Sequence, residues 1–163
     1  MHITKTLACA VIAAATITVT STMSGPAMAA GDEAIIEQRI KLMKQTSKAF
    51  KVVKKFVKSG EGTAADVAAS AQKVSMYAGK MVELFPKGTH RGAYDEKTTR
   101  ALPKIWEDWN GFKAAADVLA TESAKLAKIA AMGDAGAIAA QFGATGKKGC
   151  GGCHKPFRGA KVK

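Results

Sequence analysis

The chain has 163 residues, a formal net charge of +12 and three cysteines, and it is 47% hydrophobic with only 6% aromatic residues. A length near one domain with that apolar content excludes a disordered chain and a two-domain enzyme, and three cysteines are too few for a disulfide-stapled miniprotein. The odd cysteine and the strong positive charge are the features that the order of residues has to explain.

At the N-terminus Lys5 precedes an apolar stretch from Leu7 to Val19, and the small-residue site Ala27-Met28-Ala29 follows. Charged start, short apolar core and A-x-A ending are the three parts of a secretory signal peptide, and the core is too short for a stable membrane anchor. Residues 1–29 are therefore expected to be removed, Cys9 with them, leaving residues 30–163 as one exported, periplasmic domain. That domain keeps Cys150 and Cys153, His90 and His154, and the methionines Met43, Met76, Met81 and Met132.

From Asp32 to Ser59, Ile36, Ile40, Met43, Phe50 and Val57 follow helical spacing, and Ile35, Leu42, Ala49, Val53 and Phe56 widen the stripe. Asp32 reads as the N-cap and Gly60 as the stop. A second helix begins at Thr63 with Asp66 in a capping-box arrangement, carries Val67, Ser70, Val74, Tyr77, Met81 and Leu84, and ends at Pro86. Lys87 to Leu102 reads as a polar loop holding Gly88, His90 and Gly92.

The third helix starts near Pro103 and buries Ile105, Trp109, Phe112, Ala116, Leu119 and Leu126. Gly133-Asp134 breaks and recaps the chain. The last segment places Ile138, Phe142, Thr145, Cys153 and Phe157 at helical spacing, although its many glycines disfavour a helix. Strand signals are nearly absent after residue 31. Four amphipathic helices with short connections predict an all-α, antiparallel up-down-up-down four-helix bundle.

Cys150-Gly151-Gly152-Cys153-His154 is a C-x-x-C-H motif, the attachment signature of haem c. On a helix, positions i, i+3 and i+4 share a face, so both thiols reach one porphyrin while His154 turns toward its iron as proximal ligand. A thioredoxin-like thiol pair would sit at a strand-to-helix junction, which this chain lacks, and a zinc site would want more ligands than one cysteine pair, His154 and the distant His90.

Any second axial ligand must come from upstream. In an up-down-up-down bundle the first and last helices are antiparallel neighbours; Met43 lies about 16 Å along the first helix from Asp32, and His154 about 14 Å from the chain end. Those heights match and select Met43. Met81 lies about 7 Å from the end of its helix, Met76 falls off the apolar stripe, Met132 sits at a break and His90 in a polar loop. The commoner role of a methionine in such a stripe is core packing, which is the alternative for Met43.

Cys150-x-x-Cys153-His154-x-x-Phe157-Arg158, Arg39-x-x-Leu42-Met43-Lys44 and Lys104-Ile105-Trp106 together resemble the class II c-type cytochromes, the cytochrome c′ family, over essentially all of residues 30–163. High-spin members of that family have a five-coordinate iron, and a low-spin branch uses a methionine from the first helix. Lys41-Leu42-Met43-Lys44 with Leu84-Phe85-Pro86 is similar to that branch. The resemblance implies one covalent haem c with its iron, Arg39 near the haem edge, and a homodimer as an available assembly.

Lys41, Lys44, Lys48, Lys51, Lys55 and Lys58 line one outer face of the first helix. Such a run is a solvated face or an electrostatic guide toward an acidic redox partner or an anionic membrane surface. No nucleic-acid-binding motif is present. The expectation is a monohaem electron carrier with His154 and Met43 as axial ligands. The alternatives are a cytochrome c′ binding nitric oxide or carbon monoxide at an open distal site, and a haem-free C-x-x-C thiol oxidoreductase. No base, nucleophile or substrate pocket can be assembled, so no enzyme is predicted.

Overall fold

The computed structural model describes residues 30–162, and the signal peptide expected over residues 1–29 lies outside them. The first helix, α1 (Ala30–Ser59), places Asp32 and Glu33 in its first turn and Lys58 in its last, each complementing the helix dipole. Asp32 thus sits inside the first turn, not at the N-cap. Gly60 stops the helix at φ 68°, a left-handed conformation, with its N–H bonded to the Phe56 carbonyl at 3.0 Å.

Helix α2 (Ala64–Met81) starts on the expected capping box. The Asp66 N–H donates to Thr63 Oγ1 at 3.1 Å, and the Thr63 N–H donates to Asp66 Oδ2 at 2.9 Å. A 3₁₀ turn, Val82–Leu84, continues it toward Pro86. After the loop, the single third helix expected from Pro103 is in fact two, α3 (Lys104–Glu107) and α4 (Trp109–Ala131). Asp108 breaks them apart with ψ 60° and then caps α4 by accepting from the Gly111 N–H at 3.0 Å.

Gly133, at φ 79°, and Asp134, which accepts from the Ala137 N–H at 2.9 Å, end one arm and begin the next as read from sequence. That arm is α5 (Ala135–Ala144), a π-helical segment Thr145–Cys150, and α6 (Gly151–Phe157). The glycines that disfavour a helix here are accommodated by tertiary contacts. A Cβ on Gly149 would lie 2.8 Å from Leu119 Cδ1 and 3.1 Å from Leu119 Cα, so only glycine lets the π segment close on α4. Gln141 and Thr145 also donate to the Glu122 carbonyl at 3.1 and 3.2 Å, fastening the start of that segment to α4.

Four arms, α1, α2, α4 and α5–α6, make the four-helix bundle, with α2 between α1 and α4. At one end Val53, Val67, Ala71, Leu126 and Ile138 form the aliphatic core, and Phe50 of α1 stacks on Phe142 of α5 at 4.7 Å. Each of the larger aliphatic side chains contributes roughly 1.5–3 kcal/mol by leaving water. The other end holds Ile105, Phe112, Cys153 and Phe157 with Phe85, Trp106 and Trp109. The scarce aromatics are therefore concentrated beside the C-x-x-C-H motif.

One part of the α1 stripe is inverted. Ile40, expected inside, is 37% exposed, whereas its neighbour Arg39 is 4% exposed. Arg39 goes inward because its guanidinium finds oxygen partners in the loop after α2, which the helical period of α1 alone does not reveal.

Candidate functional site

Helix α6 and the π segment before it set Cys150, Cys153 and His154 on one side of the fourth arm, and the two cysteines are not bonded to each other. All three line a cavity of about 330 Å³ whose other walls include Met43 and Phe50 of α1, Met81 of α2 and Leu119 of α4. A second cavity of about 760 Å³ shares Met43, Ser47, Met81, Cys153 and His154 and extends past Arg39, Phe85, Phe112 and Phe157 to the loop. The two form one cleft between α1 and α6, apolar within and cationic at its rim.

Burial raises the thiol pKa of Cys150, and burial with the neighbouring Cys150 pushes Cys153 up to about 11. Both thiols thus stay protonated at neutral pH. A redox-active C-x-x-C works through a stabilised thiolate, so this pair lacks the electrostatics of a thiol oxidoreductase. Burial, then Arg158 and Arg100, lowers His154 to about 4. Its imidazole is neutral at pH 7, the form that ligates a metal.

The other candidate ligands divide cleanly. Met43 of α1 reaches the cleft as its height along the helix implies. Met81 reaches it too, buried to 4% exposure, although its height along α2 points away from the cleft. The chain does not splay away after Met81 but tightens into the 3₁₀ turn, which packs against α1 and α4 and keeps the end of α2 on the cleft. Met76 and Met132 are exposed. His90 lies edge-on to Trp106 at 5.7 Å with Nδ1 2.8 Å from the Arg91 carbonyl, and does not line the cleft.

Arg39 lines the larger cavity, but its donors serve the loop. Nη1 donates to Thr89 Oγ1 at 2.8 Å, and Nη2 donates to the Thr89 carbonyl and to Thr99 Oγ1 at 2.6 Å. The guanidinium also lies 4.7 Å over the Phe85 ring. Burial lowers its pKa to about 10, which leaves it charged at neutral pH. Arg39 therefore holds the wall of the cleft in place. Thr89 and Thr99 carry no signal in the sequence, because the polar loop has no periodicity that could mark them; Phe85 enters there only as part of Leu84-Phe85-Pro86.

Two thiols one turn apart, a neutral imidazole beside them and a cleft with a largely apolar lining fit a covalently held haem c. The fit rests on the donor set and on the cleft's lining.

A family model described as Cytochrome C′ matches residues 34–158. Cytochrome c′ of Rhodospirillum rubrum is 30% identical over 132 residues, covering 81% of this chain and 86% of the relative. Cytochrome c′ of Rubrivivax gelatinosus is 42% identical over 74 residues, 45% of this chain and only 54% of the relative. Among solved structures, cytochrome c′ from Thermochromatium tepidum superposes with a TM-score of 0.69 at 29% identity, covering 79% of this chain and 97% of that one. A nitric oxide complex of a variant cytochrome c prime from Alcaligenes xylosoxidans gives a TM-score of 0.67 at 25% identity, with 79% and 97% covered.

Proposed function

On the premise that the chain belongs to the cytochrome c′ family, whose members carry covalent haem c, we propose that it is a periplasmic haem protein binding a neutral diatomic ligand, nitric oxide or carbon monoxide, on the distal side of the iron. In this reading Cys150 and Cys153 form the two thioethers and His154 is the proximal ligand. Haem c, held there by Cys150, Cys153 and His154, would supply an iron that changes oxidation state and can take a small ligand. The chain's own residues do the rest: α6 presents the attachment points, His154 stays neutral, and the aromatic end of the bundle excludes water.

The observation that carries the reading is the lining that His154 shares in the smaller cavity. Met43, Met81, Phe50 and Leu119 offer thioethers, one ring and aliphatic carbon to the smaller cavity, an apolar part suited to an uncharged ligand, while Thr46, Ser47, Lys51 and Lys54 complete its lining. The nitric oxide complex of the Alcaligenes xylosoxidans protein supports it by likeness. A second reading, an electron carrier with Met43 as the sixth ligand, is favoured by the presence of that thioether in the cleft. The visible spectrum of the reduced holoprotein separates them: an open site gives a high-spin spectrum that shifts promptly with carbon monoxide, and a low-spin spectrum that ignores carbon monoxide overturns the proposal.

A further inference from the structure

The rim of the cleft carries charge of nearly one sign. Lys44, Lys51, Lys54, Lys97, Arg158 and Lys161 line the two cavities, and Glu96 is the one carboxylate with them among the described residues. Glu96 is itself drawn 3.5 Å from Arg91. None of the six cations takes part in the ion pairs formed among the described residues. The whole chain has 25 Lys and Arg against 13 Asp and Glu, so the imbalance at the cleft far exceeds that of the molecule.

The lysine face of α1 continues this rim, since no acidic residue occurs between Arg39 and Gly60 and the six lysines of the stripe are all exposed. The two propionates of a haem c would offset at most two of these charges. A low-dielectric cleft ringed by uncompensated cations focuses its field outward at the mouth, the route by which a partner reaches the prosthetic group.

We propose that this mouth is the docking surface for an acidic protein, whose carboxylates face Lys44, Lys51, Lys54, Lys97, Arg158 and Lys161. The inference rests on the haem reading above, because an iron that changes oxidation state exchanges electrons with another molecule. A protein fits better than a lipid surface on two grounds. The cations surround a concavity that protruding side chains can enter and a plane of headgroups cannot. Among the described residues the exposed large apolar side chains are Ile40, Met76, Val118 and Met132, of which Ile40 alone lines the cleft, so these residues offer no apolar set to insert into lipid.

The test uses the holoprotein, immobilised, with an acidic flavodoxin as probe and the association rate as readout. Reversing Lys44, Lys51 and Lys54 to Glu is expected to lower the association rate at low salt by about tenfold or more, whereas reversing Lys113, Lys125 and Lys128 on the outer face of α4 lowers it less than about threefold. The wild-type rate is expected to fall steeply and meet that of the variants at about 0.5 M salt, where the screening length is only about 4 Å. Lys→Gln versions at the same three mouth positions give the same ranking should the reversals fail to fold. Equal losses in both triple variants, or a rate indifferent to salt, would sink the proposal. So would tighter retention on phosphatidylglycerol vesicles than on flavodoxin through the mouth lysines. The carbon monoxide response of each protein is recorded alongside: equal losses of docking in both triple variants with an intact response refute the docking surface alone, and a wild type that docks as expected but gives no carbon monoxide response refutes the distal-site reading alone.

Discussion

Met43 of α1 and His154 of α6 line the same two cavities, so the thioether and the imidazole share one cleft. With the proposed open distal site, Met43→Ala enlarges the space over the iron without removing a ligand. The reduced variant is expected to keep a high-spin spectrum and to take up carbon monoxide faster, on the order of tenfold, in flash-photolysis rebinding. Met81→Ala shifts the rate in the same direction. A low-spin wild type that becomes high-spin in Met43→Ala would establish the ligated reading instead.

Gly149 and Leu119 approach too closely for a Cβ at Gly149. Gly149→Ala is expected to destabilise the holoprotein by about 1–3 kcal/mol through overpacking, read from denaturant midpoints at unchanged m-value. Gly143→Ala, exposed and with nothing within 4 Å of the new Cβ, is the counterpart and should stabilise by about 0.5–1 kcal/mol.

Arg39→Gln removes the fork that joins Thr89 and Thr99 to α1 and leaves their buried oxygens short of donors. The expected cost is about 2–4 kcal/mol, with faster amide exchange across residues 85–103 than across α4. Arg39→Lys should recover little, because an ammonium cannot serve both threonines in one plane while stacked on Phe85.

Thr63 holds the Asp66 carboxyl below its ordinary 3.8 through its hydroxyl and its amide. A depressed carboxyl pKa contributes stability that is present above 3.8 and lost as pH falls through the folded-state value. Thr63→Ala is therefore expected to lower the unfolding temperature by a few degrees at pH 7 and to flatten its decline on acidification, because less of that contribution remains to be lost. An unchanged acid slope would assign the slope to other carboxylates.

What could be read before the structure was known divides along physical lines. Gly60, Thr63 with Asp66, and Gly133 with Asp134 were legible because caps and left-handed stops are local: the residues that make the signal also make the bond. The C-x-x-C-H motif was legible for the same reason. Asp108 was passed over since it lies within a window of helical periodicity that continues on both sides, and only its turn geometry reveals the break. The exchange of Ile40 for Arg39 in the interior depends on threonines far along the chain. The place of Met81 on the cleft is not legible from its height along α2, because the 3₁₀ turn after it keeps the end of that helix there.

The seam between α1 and the loop has a bearing on acid exposure. Arg39 meets Thr89 Oγ1, the Thr89 carbonyl and Thr99 Oγ1, none of which gains or loses a proton between neutrality and mild acid. An arginine fastened to a carboxylate would lose its partner as the pH fell. Here the charge is held by neutral oxygens, so the cleft wall should keep its shape in acid that dissolves the exposed ion pairs elsewhere on the molecule, and an acidified compartment would find the site still walled.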